Sequence, residues 1–161
     1  MTGSAGLAAA AERMRKERGE LERIFPSFFR GCFLRDAEEC INRKLPVCAD
    51  AAVVELSAGG VFTGLWKLGE LLHTGLSVEI RRIPIRQETI EICEYYDLDP
   101  YYADTSGGFL IAPASAPDLI RRFREQNIPL SVIGFLEPGR ARKIIYPEHV
   151  RCLDKPRAFL G

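Results

Sequence analysis

The chain has 161 residues, of which 22 are basic and 22 are acidic, so its formal net charge is zero. Nucleic acids and anionic membranes attract proteins with a net positive surface, and this balance argues against either as the main partner. Because 47% of the residues are hydrophobic, the chain can bury a core of its own. One compact domain is therefore expected, without metal or disulfide support.

The cysteines indicate a reduced protein of the cytoplasm. There are five of them, they form no C-x-x-C pair, and their spacing does not match a zinc site: Cys32, Cys40, Cys48, Cys93 and Cys152. The first residues lack the basic start and apolar core of a signal peptide. No stretch approaches the roughly 20 apolar residues that cross a bilayer, so no membrane span is predicted.

The first part of the chain predicts helices. Residues 7–24 are alanine-rich and then charged, with opposite charges three and four apart, as on the surface of a helix. We interpret residues 1–30 as a helical linker or arm, residues 31–150 as the folded domain, and residues 151–161 as a tail.

A phenylalanine-rich segment follows at residues 25–34, and residues 36–44 predict a short helix. Two interpretations of the rings stay open. They either pack beneath the domain or form a surface that another domain or subunit covers.

The remaining pattern alternates between strands and helices. It predicts strand 51–56, helix 61–73, strand 76–83, helix 84–96, strand 109–112, helix 115–127, strand 130–136 and a hairpin partner at 142–146. This order requires a mixed sheet with helices packed against it, which is an α+β fold.

Two glycine-containing turns are candidate ligand sites. Ser57, Gly59 and Gly60 lie between a strand and a helix start, where backbone N–H groups and the helix dipole favour an anion. The alternative is a tight turn without a ligand. A similar turn precedes the next strand, where the candidate residues are Ser106, Gly107 and Gly108; its alternative is a bend that allows close backbone approach.

No catalytic residue and no metal ligand emerges from the ionisable side chains. The two histidines, His73 and His149, lie far from any cysteine or serine in a nucleophile context. His73 falls at a predicted helix end, where capping is the expected role.

Several short motifs in order resemble one family. They are Gly60-Val61-Phe62, Leu65-Trp66, the Ile-Pro-Ile-Arg-Gln-Glu-Thr run at 83–89, Glu-Ile-Cys-Glu at 91–94 and Asp-Leu-Asp-Pro-Tyr at 97–101. The stretch from about 51 to 145 resembles the C-terminal domain of the aminoimidazole ribonucleotide (AIR) synthetase superfamily, also called PurM-related. The resemblance is greatest to the hydrogenase-maturation branch that includes HypE.

This resemblance implies a three-layer α/β/α domain with a mixed sheet, from a family that uses ATP and Mg²⁺ to phosphorylate an oxygen or selenium nucleophile. In that family the nucleotide lies between two domains, and the metal-binding acids come largely from the first domain. The resemblance begins where the second domain begins. It therefore implies a C-terminal domain that holds ATP and Mg²⁺ only with a partner domain, binds no cofactor alone, and is inactive alone.

The glycine turn departs from the family pattern Asp-x-Thr-(acidic or Arg)-Gly-Gly, because Glu55, Ser57 and Ala58 stand at its first, third and fourth positions. The terminal cysteine of the hydrogenase factor has no counterpart, since Cys152 lies in a different setting. We expect Gly60→Val to abolish nucleotide binding in a two-domain form while barely altering the fold.

The alternative function is a free-standing, non-catalytic binding or oligomerisation module derived from the same fold. Its partner would be a second copy of the chain, whereas the first hypothesis requires a separate AIR synthetase N-terminal-like domain. A small-molecule regulatory domain is a third, weaker hypothesis.

Overall fold

The computed structural model describes residues 4–25, 27–45, 48 and 50–156, apart from the side chains of residues 18, 22 and 27–29. The helices are α1 (Leu7–Lys16), α2 (Arg18–Ile24), α3 (Ser27–Ile41), α4 (Gly60–Leu72), α5 (Gln87–Tyr95) and α6 (Ala116–Glu125), with one 3₁₀ turn at Ile80–Arg82. The strands are β1 (Ala51–Glu55), β2 (Gly75–Glu79), β3 (Phe109–Pro113), β4 (Gly134–Glu137), β5 (Arg142–Ile145) and β6 (Val150–Cys152).

The strands form two sheets. β1 and β3 make an antiparallel ribbon in which Glu55 lies opposite Phe109. The second sheet has the strand order β4-β2-β5-β6, in which β2 and β5 are parallel and the other neighbours are antiparallel. Helices pack on these strands, so the α+β class with a mixed sheet is confirmed.

The larger core lies between α4 and the strands. Val61 and Leu65 of α4 are fully or almost fully buried and cluster with Leu76 and Val78 of β2. Apolar residues at i, i+3 and i+4 place one stripe of α4 against the sheet.

A second core joins the first helices to α5. Leu7 and Met14 of α1 are buried with Phe33 and Ala37 of α3 and with Ile92 of α5. Phe25 is buried in the same cluster, so packing beneath the domain is the outcome for Phe25 and Phe33. The side chains of Phe28 and Phe29 lie outside the described residues.

Several predicted elements differ from the observed ones, among them the strand expected at 130–136, which begins only at residue 134 and ends at residue 137. The helix expected at 36–44 is longer and earlier, because α3 covers Ser27–Ile41 and gains stability by burying Phe33 and Ala37. The strand expected at 76–83 ends at Glu79, and the chain turns at Ile80–Arg82, where Arg82 Nε donates to Glu79 Oε2 at 2.7 Å. The helix expected at 84–96 is shorter and covers Gln87–Tyr95.

The predicted hairpin between residues 130–136 and 142–146 is wrong. β4 and β5 both form, but they pair with opposite sides of β2, β4 antiparallel and β5 parallel. Local patterns identify strands well and their partners poorly, since partners depend on contacts between distant residues. β6 was not expected from the sequence.

Among the described residues, no helix is long and apolar enough to cross a membrane. Cys32, Cys40, Cys48, Cys93 and Cys152 form no disulfide bond with one another in the described part of the chain. His73 is the C-terminal cap of α4, with a φ of 51°, as its predicted helix-end position requires.

Candidate anion site at the start of α4

The first glycine turn connects the end of β1 to α4. Leu56 is buried and its N–H donates to Gly108 O at 2.8 Å, which fixes the direction of the chain as it leaves the ribbon. Ser57 and Ala58 are exposed, and the chain then turns through Gly59 and Gly60 with φ values of 87° and 66°. Only glycine adopts this left-handed backbone readily.

The structure brings the two predicted turns side by side. Thr105 N donates to Ser57 O at 3.4 Å, and Gly108 N donates to Thr105 O at 3.0 Å. Because β1 and β3 pair antiparallel, the end of β1 and the beginning of β3 meet at the same end of the ribbon. The two segments that contain the six proposed residues therefore lie side by side, although Gly60, Gly107 and Gly108 are buried.

The second turn is held by its own side chains and by α3. Asp104 Oδ1 accepts from Ser106 N at 2.8 Å and from Ser106 Oγ at 2.6 Å, so the Ser106 hydroxyl is already engaged. Gly107 has a φ of 82°, and a Cβ there would lie 2.5 Å from Ile41 Cα. The expected close backbone approach is thus present at Gly107, while Gly108 is buried.

The backbone N–H groups at the start of α4 are partly used within the protein. Gly60 N donates to Ser57 O at 3.0 Å, Phe62 N to Tyr101 O at 3.2 Å and Thr63 N to Gly59 O at 3.3 Å. A ligand would therefore meet the exposed Ser57 hydroxyl and the field of the helix, rather than a cradle of these amides. The first turn of α4 contains no acidic residue to cancel that field.

Gly60 has a packing role that the sequence did not indicate. It is buried, and a Cβ there would overlap Tyr101 O and lie 2.7 Å from Ala103 O. The expectation that Gly60→Val would barely alter the fold is wrong, because the 101–103 backbone occupies the space that any side chain needs.

Sequence reasoning missed an aromatic group beside the turn. Phe62 stacks on Tyr101 with ring centroids 5.2 Å apart and meets the edge of Tyr102 at 5.1 Å. Burial raises the pKa of both tyrosines, so their hydroxyls stay protonated at neutral pH. The sequence feature that could have indicated this aromatic group is the pair Tyr101-Tyr102, which follows a turn-forming Asp-Pro.

The chain's first described residues also reach this region. Gly6 N donates to Thr105 Oγ1 at 3.0 Å, Ala5 N donates to Pro84 O at 3.0 Å, and Ser4 Oγ accepts from Arg86 N at 2.8 Å. These contacts join residues about 80 to 100 positions apart in the sequence. No local sequence pattern predicts them.

The arrangement offers anion binding and no evident acid–base chemistry. Glu55, the residue before Leu56, is exposed at the end of β1. Within the part of the chain that the structure describes, no three His, Cys, Asp or Glu side chains come together to hold a metal ion. The site can attract a negative group, but it lacks the nucleophile and base pairing that covalent catalysis needs.

Comparison with known proteins finds a sequence similarity to part of one curated protein. No family model matches the chain. A curated relative, "Carbamoyl dehydratase HypE" of Rhodobacter capsulatus, is 29% identical over 87 residues, which are 52% of this chain and 26% of that protein. The match thus spans about a quarter of the relative's length.

Solved structures share the fold. Escherichia coli HypE overlays with a TM-score of 0.65 at 17% identity, covering 97% of this chain and 48% of that one. HypE in complex with ATP gives 0.58 at 18% identity, with 77% and 40% covered. Thiamine-monophosphate kinase from Stenotrophomonas maltophilia K279a gives 0.60 at 21% identity, with 88% and 48% covered. The chain therefore spans less than half of each of these proteins, shares the fold of that part of them, and is similar in sequence to a stretch of HypE.

Proposed function

We propose that the chain is the C-terminal portion of an ATP-dependent, HypE-like protein of the hydrogenase-maturation type. Its role is to provide one wall of a nucleotide site, with the Ser57 hydroxyl and the start of α4 facing phosphate. The observation that carries the proposal is the meeting of both glycine turns at one end of the β1–β3 ribbon, beside a helix start free of acidic residues. A related HypE has been solved with ATP, which supports the choice of ligand.

The region fits an anion better than it fits Mg²⁺. Mg²⁺ prefers carboxylate and water oxygens in octahedral geometry. Asp104, the carboxylate in the second turn, already accepts two hydrogen bonds from Ser106 at Oδ1. We therefore assign any magnesium ligands to the nucleotide and to a partner domain. This division leaves the chain with no catalytic group and inactive alone.

The partner in this proposal is a separate AIR synthetase N-terminal-like domain. The less-than-half coverage of the solved relatives supports it, since the uncovered half is where further ligands would lie. We further propose a cytoplasmic location, which agrees with cysteines that form no disulfide bond with one another in the described part of the chain.

Calorimetric titration tests the proposal. The whole chain is fused to the half of E. coli HypE that it does not overlay, and Mg-ATP is titrated into the fusion, the chain alone and the HypE half alone. We expect the fusion to bind more tightly than either part. Micromolar binding by the chain alone, about −8 kcal/mol, would contradict the need for a partner.

A charge variant identifies the surface involved. Ser57→Asp places a negative charge where phosphate is proposed to sit, and we expect at least a tenfold weaker affinity, about 1.4 kcal/mol. Ser115→Asp is the control, because Ser115 is the exposed N-terminal cap of a different helix, α6. Equal affinities for the Ser57→Asp fusion and the unchanged fusion would refute the assignment.

The second candidate function is the non-catalytic oligomerisation module. Ala58 favours it, because this exposed position offers no polar side chain beside the turn. Failure of every fusion to bind Mg-ATP, together with a stable oligomer of the chain alone, would favour this function over the first.

A further inference from the structure

Aromatic side chains continue from the start of α4 onto the surface of the domain. Phe62 is the third residue of α4, and its ring stacks on Tyr101 and meets the edge of Tyr102. Tyr102 is 40% exposed, so part of its ring is open to solvent. These ring contacts connect a buried residue of the helix to an exposed aromatic side chain.

A second pair of rings lies close to Tyr102. Tyr146 and His149 stack with ring centroids 4.6 Å apart and planes within 5° of parallel, and Tyr146 N donates to His149 O at 2.8 Å. Burial raises the pKa of Tyr102, and Asp154 and Tyr146 raise it further, so both of these side chains lie near the Tyr102 hydroxyl. Tyr146 is half-buried and His149 is exposed. We call Tyr102, Tyr146 and His149 the aromatic platform.

The charged pair beside the aromatic platform adds no net charge to it. Arg151 Nη2 donates to Asp154 Oδ2 at 2.7 Å, and both side chains are well exposed. The platform itself offers aromatic faces and protonated tyrosine hydroxyls, so it suits a flat uncharged ring better than an ion. Nucleobases are rings of this kind, and every base has a π-face that can stack on an aromatic side chain.

One short segment joins the aromatic platform to the proposed phosphate site. Thr105 N donates to Ser57 O at 3.4 Å. Tyr102 lies three residues before Thr105, a length of chain that spans at most about 11 Å. Phe62, which touches Tyr102, lies in the first turn of the helix that follows Ser57. A nucleoside triphosphate can therefore reach from Ser57 to the ring of Tyr102.

We propose that the aromatic platform holds the base of the nucleotide whose phosphates face Ser57, with the base stacked on the exposed ring of Tyr102 and bordered by the Tyr146–His149 pair. This inference rests on the proposed function. It deepens that function by naming a second group that the chain recognises, a purine or pyrimidine ring, in addition to phosphate. Recognition is by stacking, which contributes affinity and does not select one base over another.

Comparison of Mg-ATP with magnesium tripolyphosphate isolates the contribution of the base. Both are titrated by calorimetry into the fusion of the whole chain with the half of E. coli HypE that it does not overlay. The ratio of the two affinities measures what the nucleoside adds, because tripolyphosphate supplies the phosphates alone. We expect Tyr102→Leu to lower this ratio at least about fivefold, the lower end of what one base–aromatic stack contributes, and to leave the tripolyphosphate affinity unchanged.

Two further variants control for other effects of the substitution. Tyr102→Phe keeps the ring and should preserve the ratio, since stacking needs no hydroxyl. Tyr95→Leu is the matched control, because Tyr95 is 45% exposed but belongs to α5, where its hydroxyl donates to Glu20 at 2.7 Å. It should leave both affinities unchanged. Circular dichroism checks that each variant is folded.

The outcomes separate this inference from the proposed function. A fusion that binds neither Mg-ATP nor tripolyphosphate refutes the proposed function, and the base site falls with it. A fusion that binds both, with a ratio that Tyr102→Leu leaves unchanged, overturns the base site alone and leaves phosphate binding at Ser57 in place. An equal loss of both affinities in Tyr102→Leu also overturns the base site, because it assigns Tyr102 to packing against Phe62.

Discussion

At the scale of single residues, Gly60 shows how a turn can be fixed by sterics and not by a ligand. Its φ of 66° already disfavours a side chain, and the 101–103 backbone fills the space where a Cβ would stand. We expect Gly60→Ala to lower the free energy of unfolding by at least about 2 kcal/mol, from left-handed strain and overlap together.

Gly139 provides the matched control for that measurement. Its φ of 90° imposes a similar backbone strain, but no atom lies within 4 Å of the added Cβ. Urea denaturation of both alanine variants separates the two costs, and Gly139→Ala should lose only about 1 kcal/mol. Equal losses at both positions would mean that the Tyr101 and Ala103 carbonyls do not constrain Gly60.

At the scale of elements, Arg86 connects α3 to the segment that leads into α5. Its Nη1 donates to Asp36 Oδ2 at 2.9 Å and its Nη2 donates to Glu88 Oε1 at 3.2 Å. These bonds hold the pKa of both carboxyls below their ordinary values of 3.8 and 4.5. The guanidinium also lies over the Phe33 ring, 5.7 Å from its centroid.

The sign of the pH dependence follows from those shifts. Carboxyls with lowered pKa stabilise the fold above their unfolded pKa, and that contribution is lost as pH falls through their folded pKa. We expect Arg86→Gln to lower the unfolding free energy by up to about 1 kcal/mol at neutral pH, since the groups are partly exposed. The difference from the unchanged protein should shrink below about pH 4, where both carboxyls begin to protonate.

Urea denaturation at several pH values measures this difference. The control is Arg151→Gln, which removes an exposed pair with Asp154 that joins no two helices and should change little. A difference between Arg86→Gln and the unchanged protein that persists in acid would assign the effect to lost packing on Phe33 instead of ion pairing.

At the scale of the whole molecule, the first helices belong to the same packed unit as α5. Leu7 and Met14 are buried against Phe33 and Ile92, and Gly6 N is bonded to Thr105. The division into an arm at 1–30, a domain at 31–150 and a tail at 151–161 is still a prediction, and truncation tests it.

We expect a chain beginning at residue 31 to lose cooperative unfolding, because removing α1, α2 and the first turn of α3 exposes the apolar surfaces of α5 and of the rest of α3. A full-length Met14→Ala variant is the milder comparison and should cost about 2–5 kcal/mol. Thermal unfolding followed by circular dichroism measures both. Cooperative unfolding of the truncated chain with an unchanged midpoint would establish residues 1–30 as a dispensable arm.

Much of the fold could be predicted from the sequence because its signals are local. Apolar spacing in α4, the apolar run of β3 and glycine at positions 59 and 60 each specify an element or a turn within a few residues. The order of motifs also indicated a resemblance to the AIR synthetase superfamily, and the fold that the chain shares with HypE agrees with that resemblance. The zero net charge argued against nucleic acids and anionic membranes as main partners, and the spacing of the cysteines did not match a zinc site.

The tertiary structure alone decided how those elements meet. The sequence pattern predicted that β4 and β5 pair with each other as a hairpin, yet each of them pairs with β2. Strand partners are selected by burial and register over the whole sheet. The same holds for the contact of Thr105 with Gly6, for the adjacency of the two glycine turns, and for the exposure of Phe135 at an edge. Sequence determines which residues prefer to be buried or to turn, whereas long-range packing determines which of them become neighbours.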